Sequence, residues 1–125
     1  MKIHKGHQGV MPYLILKNAE GFIEFTKTVL NATEIFKSYR EGDQHQIMHS
    51  EVQIKGCNIM CADVTEDFDV ANANLFVYVE DADTTCQLAL DKGSTLVTEV
   101  TDQDYGRSGG FKDPWGNVWW VTSLK

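Results

Sequence analysis

Hydrophobic and polar residues alternate in short runs along this chain, and the period of the alternation changes from segment to segment. Apolar residues recur at helical spacing from Phe22 to Leu30, and Asn18, just ahead of them, can cap a helix. The stretches before and after this helix alternate as strands do, with Pro12 close to the start of the first one. The strands predicted here are 10–17, 33–39, 45–54 and 57–63. One βαβββ unit is therefore predicted in residues 10–63.

The same order of elements returns after residues 64–73, an acidic and aperiodic stretch that we interpret as a linker. A second helix is predicted from Asp81 to about Lys92, and Gly93 follows it as a C-terminal stop. The strands predicted here are 74–80, 95–101 and 117–123, and the glycine-rich segment 105–112 is predicted as a strand or a loop. Strands joined by tight turns must be antiparallel, which excludes a doubly wound parallel sheet.

The fold class that follows is α+β, a single domain over residues 1–125 with helices on one face of each sheet. It contains two βαβββ modules, module one at about 10–63 and module two at about 74–123.

Side-chain alternation gives each predicted strand an apolar face and a mixed face. Leu14 with Leu16, Met60 with Ala62 and their equivalents in module two form the apolar faces, which we expect beneath the helices. The mixed faces carry aromatic and polar side chains: Tyr13, His49, Glu51, Cys61, Asn74, Phe76, Tyr78 and Trp120. An aromatic, sparsely polar sheet face suits a small-molecule cavity, although a dimer interface or a simply amphipathic sheet would show the same pattern.

Charge and composition exclude several classes of function. The 125 residues include 11 Lys and Arg against 18 Asp and Glu, a net charge of -7. Binding to nucleic acid or to an anionic membrane needs a basic surface, so we expect neither partner. The acidic balance favours a cationic small molecule as the ligand.

The cysteines, Cys57, Cys61 and Cys86, are odd in number and do not have zinc-site spacing. The first residues lack the apolar run of a signal peptide, and no apolar run approaches the length of a membrane span. We therefore expect a protein of the cytoplasm, with its thiols reduced and packed in the interior.

Several motifs resemble those of a known family. They are VEDAD at 79–83, YGRxxGxxDPWGNxW at 105–119, PYL at 12–14, HxE at 49–51 and IM at 59–60. With the doubled βαβββ unit, they are similar to the glyoxalase/bleomycin resistance protein/dioxygenase superfamily, also called the vicinal oxygen chelate superfamily, and within it to the PhnB-like branch. The resemblance covers about residues 10–123. It implies a curved, cup-shaped, antiparallel-rich mixed sheet and a homodimer.

The resemblance also implies where a divalent metal would be bound. The four ligand positions of the family fall, with one residue of slack, on Met11, Cys61, Asn74 and Trp120. The family uses His, Glu or Gln there, and such a metal centre leaves open positions for two substrate oxygens. We therefore expect neither a metal nor another cofactor.

The remaining polar residues leave alternatives open. His49 and Glu51 are neighbours on one strand face and are candidates for an acid–base pair, for ligand contacts or for a structural hydrogen bond. Arg107 could hold a carboxylate or phosphate of a ligand, or pair with nearby acidic residues. His4 and His7 lie in an N-terminal segment that we expect to be frayed, and we assign them no role.

Two functions are consistent with these observations, and a third possibility is a domain whose cup is filled by its own side chains. The first is a metal-free binding protein that holds an aromatic or cationic small molecule in an aromatic cup. Its ligand-binding residues would be Tyr13, Cys61, Asn74, Phe76, Tyr78, Arg107 and Trp120. The second is a lyase, isomerase or dioxygenase-type enzyme of the same superfamily, with an unconventional metal site or with acid–base chemistry by His49 and Glu51.

Overall fold

The computed structural model describes residues 1–124 and follows the predicted order of elements. In the first half the elements are β1 (Tyr13–Leu16), α1 (Ala19–Leu30), β2 (Thr33–Arg40), β3 (Asp43–Ile54) and β4 (Cys57–Asp63). In the second half they are β5 (Asn74–Tyr78), α2 (Ala82–Asp91), β6 (Thr95–Gln103), β7 (Gly106–Lys112) and β8 (Val118–Ser123). The predicted strands and helices are thus present, with ends that differ by a few residues.

The strands form two four-stranded mixed sheets with the same connectivity. The strand order is β1-β4-β3-β2 in the first sheet and β5-β8-β7-β6 in the second. In each sheet the first and last strands of the module pair in parallel, and the other neighbours are antiparallel. The predicted α+β class with two βαβββ modules is confirmed.

Local signals in the sequence determine where the helices begin and end. The side chain of Asn18 accepts a hydrogen bond from the Gly21 N–H at 3.2 Å, as an N-cap residue does. The side chain of Asp81 does the same for the Thr84 N–H at the start of α2. Gly93 has a φ of 103°, a left-handed conformation that glycine adopts without strain and that stops α2.

Helix α1 covers one face of the first sheet, which we call its helix face. Phe22 and Ile23 of α1 and Leu16 of β1 have no exposed surface, and burial of each such side chain contributes about 1.5–3 kcal/mol. The buried carboxylate of Asp63 connects the helix to the sheet, because it accepts hydrogen bonds from the N–H groups of Ala19 at 2.7 Å and Ile47 at 2.6 Å.

Helix α2 lies on the corresponding face of the second sheet, above Trp119 and Phe111. The turn before β8 is built on Asp113, whose buried carboxylate accepts hydrogen bonds from four nitrogen donors of Trp115, Asn117 and Trp119. Burial raises the pKa of Asp113, and these donors oppose the rise. The Asp-Pro-Trp-Gly segment is therefore a structural turn.

The chain divides into two compact units, and the boundary between Ala71 and Asn72 falls inside the predicted linker. Each unit contains one helix-covered sheet, whose other face we call the open face. Neither helix of the described residues is long and apolar enough to cross a membrane.

Candidate functional site

The open face of the second sheet carries three aromatic side chains close together. Phe76 and Tyr78 alternate along β5, and Trp120 of β8 is the register partner of Phe76. Phe76 and Tyr78 are 54% and 58% exposed, and their ring centroids lie 5.2 Å apart in a T-shaped arrangement. We call these three residues, together with Asn74, the aromatic face.

Two neighbours fix the indole of Trp120. Its Nε1–H donates a hydrogen bond to Oδ1 of Asn74 at 3.1 Å. On the other side, its register partner is Gly110 of β7, where an added Cβ would lie only 2.7 Å from the Trp120 ring. The ring therefore packs directly over a position that has no side chain, and the predicted members of the aromatic face are brought together.

The open face of the first sheet carries a polar cluster around Glu51, whose side chain is only 8% exposed. Its Oε2 accepts hydrogen bonds from Nε2 of His7 at 2.8 Å and from Nδ2 of Asn58 at 3.3 Å. Its Oε1 accepts a longer one, 3.4 Å, from Nε2 of His49. Burial alone would raise the pKa of Glu51, but these hydrogen bonds outweigh that effect and lower it. We call these residues and Tyr13 the Glu51 cluster.

The same network orients His49. Because an ionised carboxylate only accepts, Nε2 of His49 carries the proton, and Nδ1 accepts from the Tyr13 hydroxyl at 2.9 Å. The Tyr13 ring lies 5.5 Å from the imidazole and the Phe36 ring 5.8 Å from it. Burial raises the pKa of the Tyr13 phenol, which therefore keeps its proton at neutral pH. The predicted pair His49 and Glu51 is thus in contact, with Tyr13 beside it.

The prediction that Cys61 lies on the mixed face is wrong. Cys61 is the register partner of Leu14 and Ser50, so its side chain is on the helix face, where it has no exposed surface. Burial raises the pKa of its thiol to about 11. Met60, which was expected on the apolar face, is instead the register partner of Tyr13 and Glu51.

Arg107 also lies away from the aromatic face. Its guanidinium donates to both carboxylate oxygens of Asp83 on α2, at 2.6 and 3.0 Å, and to Asp102 at 3.2 Å. The hydrogen bonds that it donates to these two carboxylates raise the pKa of the Arg107 guanidinium. The geometry corresponds to the alternative in which Arg107 pairs with nearby acidic residues, and it does not support the predicted ligand contact.

The positions that the resemblance assigned to a metal do not fit one. Asn74 and Trp120 are hydrogen-bonded to each other, and Cys61 lies on the helix face. Met60, the residue before Cys61, lies on the open face in its place. Met60 and Met11 each offer only a thioether. Divalent ions such as zinc, iron and manganese are bound by imidazole and carboxylate groups, and these side chains provide neither.

One group of carboxylates does converge in the described residues, but its charge is already compensated. Oxygen atoms of Glu20, Glu24 and Glu34 lie within 4.8 Å of one another. Lys27 and Lys37 lie among them, with ion-pair distances between 2.6 and 3.2 Å. We interpret this group as an ion-pair network between α1 and β2.

Two open depressions in the second unit lie apart from the aromatic face. One, of about 580 Å³, follows the exposed side of α2 between Asp83 and Asp91. The other, of about 490 Å³, lies at the β6–β7 turn beside Tyr105 and Arg107. Neither depression includes a residue of the aromatic face or of the Glu51 cluster.

Sequence reasoning missed three residues of these two surfaces. The expectation of a frayed N-terminal segment is wrong at His7, which binds Glu51. Asn58, a buried polar residue among apolar neighbours in β4, was the available signal for a polar contact. The role of Gly110 depends on strand register, which the sequence does not reveal.

Comparisons with known proteins give one matching family model and a sequence relative. The model of the Glyoxalase/Bleomycin resistance protein/Dioxygenase superfamily matches residues 10–121. An uncharacterized protein of Mycobacterium bovis is 27% identical over 120 residues, covering 86% of this chain and 78% of its own.

Solved structures show the same fold at low sequence identity. The PhnB protein of Bacillus cereus has a TM-score of 0.72 at 18% identity, covering 94% of this chain and 100% of its own. TnmS3, an antibiotic-binding protein from Streptomyces sp. CB03234, has a TM-score of 0.66 at 17% identity, covering 95% and 100%. This chain belongs to the glyoxalase/bleomycin resistance protein/dioxygenase superfamily.

Proposed function

We propose that this protein binds a small aromatic or cationic molecule on the aromatic face of the second sheet. The observation that carries the proposal is the exposure of Phe76 and Tyr78 beside a Trp120 ring that is held in place from two sides. Large aromatic side chains bury the most apolar area when a ligand covers them, and a contiguous group of exposed aromatic rings is a common feature of binding surfaces.

The geometry of this surface suits a flat ligand. Asn74 and Gly110 fix the Trp120 ring before a ligand arrives, so little side-chain freedom is lost on binding. Aromatic rings also attract cations, at about 0.5–1 kcal/mol for each exposed contact. The net charge of -7 adds a long-range attraction for a cationic ligand.

Binding in this proposal needs no metal. The four family positions lack carboxylate and imidazole ligands, and two of them already bind each other. The structural likeness to TnmS3, whose name describes an antibiotic-binding protein, supports small-molecule binding as the proposal for this chain.

The test is a titration with N-methylquinolinium, a flat aromatic cation, followed by intrinsic fluorescence, with uncharged quinoline as the comparison. Trp120→Ala should weaken binding about fivefold to thirtyfold, which corresponds to about 1–2 kcal/mol. Tyr105→Ala is the control, because Tyr105 is an exposed aromatic residue at the β6–β7 turn and does not belong to the aromatic face. If both variants bind as the wild type does, the aromatic face is not the binding site.

A second candidate function is acid–base catalysis at the Glu51 cluster. It is favoured by the relay from the Tyr13 hydroxyl through His49 to Glu51, which leaves His49 Nδ1 as a proton acceptor. Once a converted substrate is known, His49→Gln should abolish turnover and leave binding intact. A variant that keeps its turnover would exclude this chemistry.

The expected homodimer and the cytoplasmic location are part of the same proposal. Sedimentation analysis of the purified full chain tests the first, because a dimer doubles the 14.1 kDa mass of the chain. A single species at the monomer mass would exclude the dimer.

A further inference from the structure

The Glu51 carboxylate is a buried acceptor on the open face of the first sheet. Three donors reach it, from His7, His49 and Asn58. A buried carboxylate needs such donors, because an unpaired charge away from water is strongly destabilising. Any group that replaced one of these donors would therefore have to supply an N–H in the same place.

One of the three donors differs from the other two. His49 and Asn58 belong to strands β3 and β4, whereas His7 comes from the segment that precedes β1. His7 nevertheless makes the shortest hydrogen bond to the carboxylate, 2.8 Å. Its neighbour Gln8 attaches the segment to the sheet, because its side chain donates to the Asn58 carbonyl at 2.9 Å and accepts from the Asn58 N–H at 3.3 Å. The His7 imidazole thus reaches the carboxylate from outside the sheet.

The surroundings of the carboxylate are those of a binding site. Tyr13 and Phe36 flank His49 on the same face, and they are 45% and 49% exposed. A molecule that approached Glu51 would meet two aromatic rings and one fixed negative charge. This combination selects a nitrogen heterocycle or a protonated amine attached to an apolar body.

We propose that the Glu51 cluster is a second binding site, which takes a ligand with an imidazole-like or protonated nitrogen group, and that His7 occupies the place of that group in the free protein. The ligand N–H replaces the His7 N–H on Oε2 of Glu51, while His49 and Asn58 stay in place. The site is formed by the first unit alone, so it does not depend on the function proposed for the aromatic face.

The test uses imidazole as the probe on the full chain. His7→Ala opens the position, and imidazole should then bind in a saturable manner, at least about tenfold more tightly than to the wild type, because no internal group competes. Amide and side-chain NMR signals of His49 and Asn58 should shift. Imidazole should also raise the thermal unfolding temperature of this variant.

Two further variants locate the effect. His45→Ala removes an exposed histidine of β3 that is not among the donors to Glu51, and should behave as the wild type. The double variant His7→Ala with Glu51→Gln keeps the side-chain shape but removes the charge, and should lose imidazole binding. Equal binding of imidazole to the single and the double variant would overturn the proposal, and so would equal binding to His7→Ala and the wild type.

The wild type gives an answer even if His7→Ala does not fold. At high imidazole concentration the ring signals of His7 should move to the positions of an unbound histidine, while those of Gln8 remain unchanged. His7 signals that stay fixed at saturating imidazole would show that His7 is a permanent structural part of the cluster and would overturn the proposal.

Discussion

Replacing Gly110 by Ala tests how the aromatic face is built. The new Cβ would lie 2.7 and 2.8 Å from two ring carbons of Trp120, whereas carbon atoms in contact are about 3.5–4.0 Å apart. The ring must therefore move by about 1 Å. That movement lengthens the hydrogen bond to Asn74, now 3.1 Å, whose net contribution is about 0.5–1.5 kcal/mol.

The expected cost follows from these contacts. Overpacking costs about 1–3 kcal/mol, and the lower backbone entropy of Ala in a strand returns about 0.5–1 kcal/mol. Including the strained hydrogen bond of Trp120, we expect Gly110→Ala to destabilise the protein by about 1–2 kcal/mol. Urea unfolding followed by circular dichroism measures this, and the fluorescence of the folded variant should shift to longer wavelength as Trp120 moves into water. N-methylquinolinium should also bind more weakly.

Gly9→Ala is the matched control, because an added Cβ at Gly9 meets no atom within 4 Å. Its stability should stay within about 0.5 kcal/mol of the wild type. If Gly110→Ala also had wild-type stability, fluorescence and binding, Trp120 would not pack over Gly110, and the reasoning from strand register would be refuted.

Three further predictions concern other parts of the molecule. Asp113→Asn should lower the free energy of unfolding by about 2–4 kcal/mol, since the new amide places a donor where the carboxylate accepts hydrogen bonds from four donors. Urea unfolding measures this change, and a loss below about 0.5 kcal/mol would contradict the prediction. A thiol reagent should label the exposed Cys57 quickly in the folded protein. Cys61 and Cys86 should react only after unfolding, because both are buried and their pKa values are raised to about 11. Fast labelling of all three thiols in the folded protein would contradict this prediction. The pKa of Glu51 is near 4.5 in the unfolded protein and lower in the folded protein. The ionised carboxylate therefore contributes its full stabilisation above about pH 4.5, and this contribution is lost as the pH falls through the pKa of the folded protein. Glu51→Gln should therefore be less stable than the wild type at neutral pH and should show a flatter loss of stability in acid, and an unchanged acid limb would count against this assignment.

The helix and strand order was predictable because its signals are local. Asn18 caps α1 and Gly93 stops α2, and both act on residues within one or two turns of themselves. The aromatic face was predictable from alternation, since Phe76 and Tyr78 alternate with Leu75 and Val77, which turn toward the helix.

Alternation failed in β4 because both faces of that strand are largely apolar. The set Cys57, Ile59 and Cys61 is about as apolar as the set Met60 and Ala62, so the pattern does not say which one lies under α1. The parallel pairing of β1 with β4 decides which set lies under α1, and this register is a property of the folded sheet.

The remaining failures come from contacts between residues far apart in the sequence. Arg107 could have met several acids, and the position of α2 selects Asp83. His7 reaches Glu51 across 44 positions, and this contact depends on the attachment of Gln8 to β4. Neither pairing leaves a periodic or local signal in the sequence.

The central claim is that a small molecule stacks on the aromatic face. It is tested most directly by recording the indole Nε1–H signals of the three Trp residues by NMR during a titration with N-methylquinolinium. We expect the Trp120 indole and the Asn74 side-chain amide to shift together and saturably, while the buried Trp119 indole stays in place. Shifts confined to residues outside the aromatic face, or the absence of saturable shifts for Trp120, would contradict the claim.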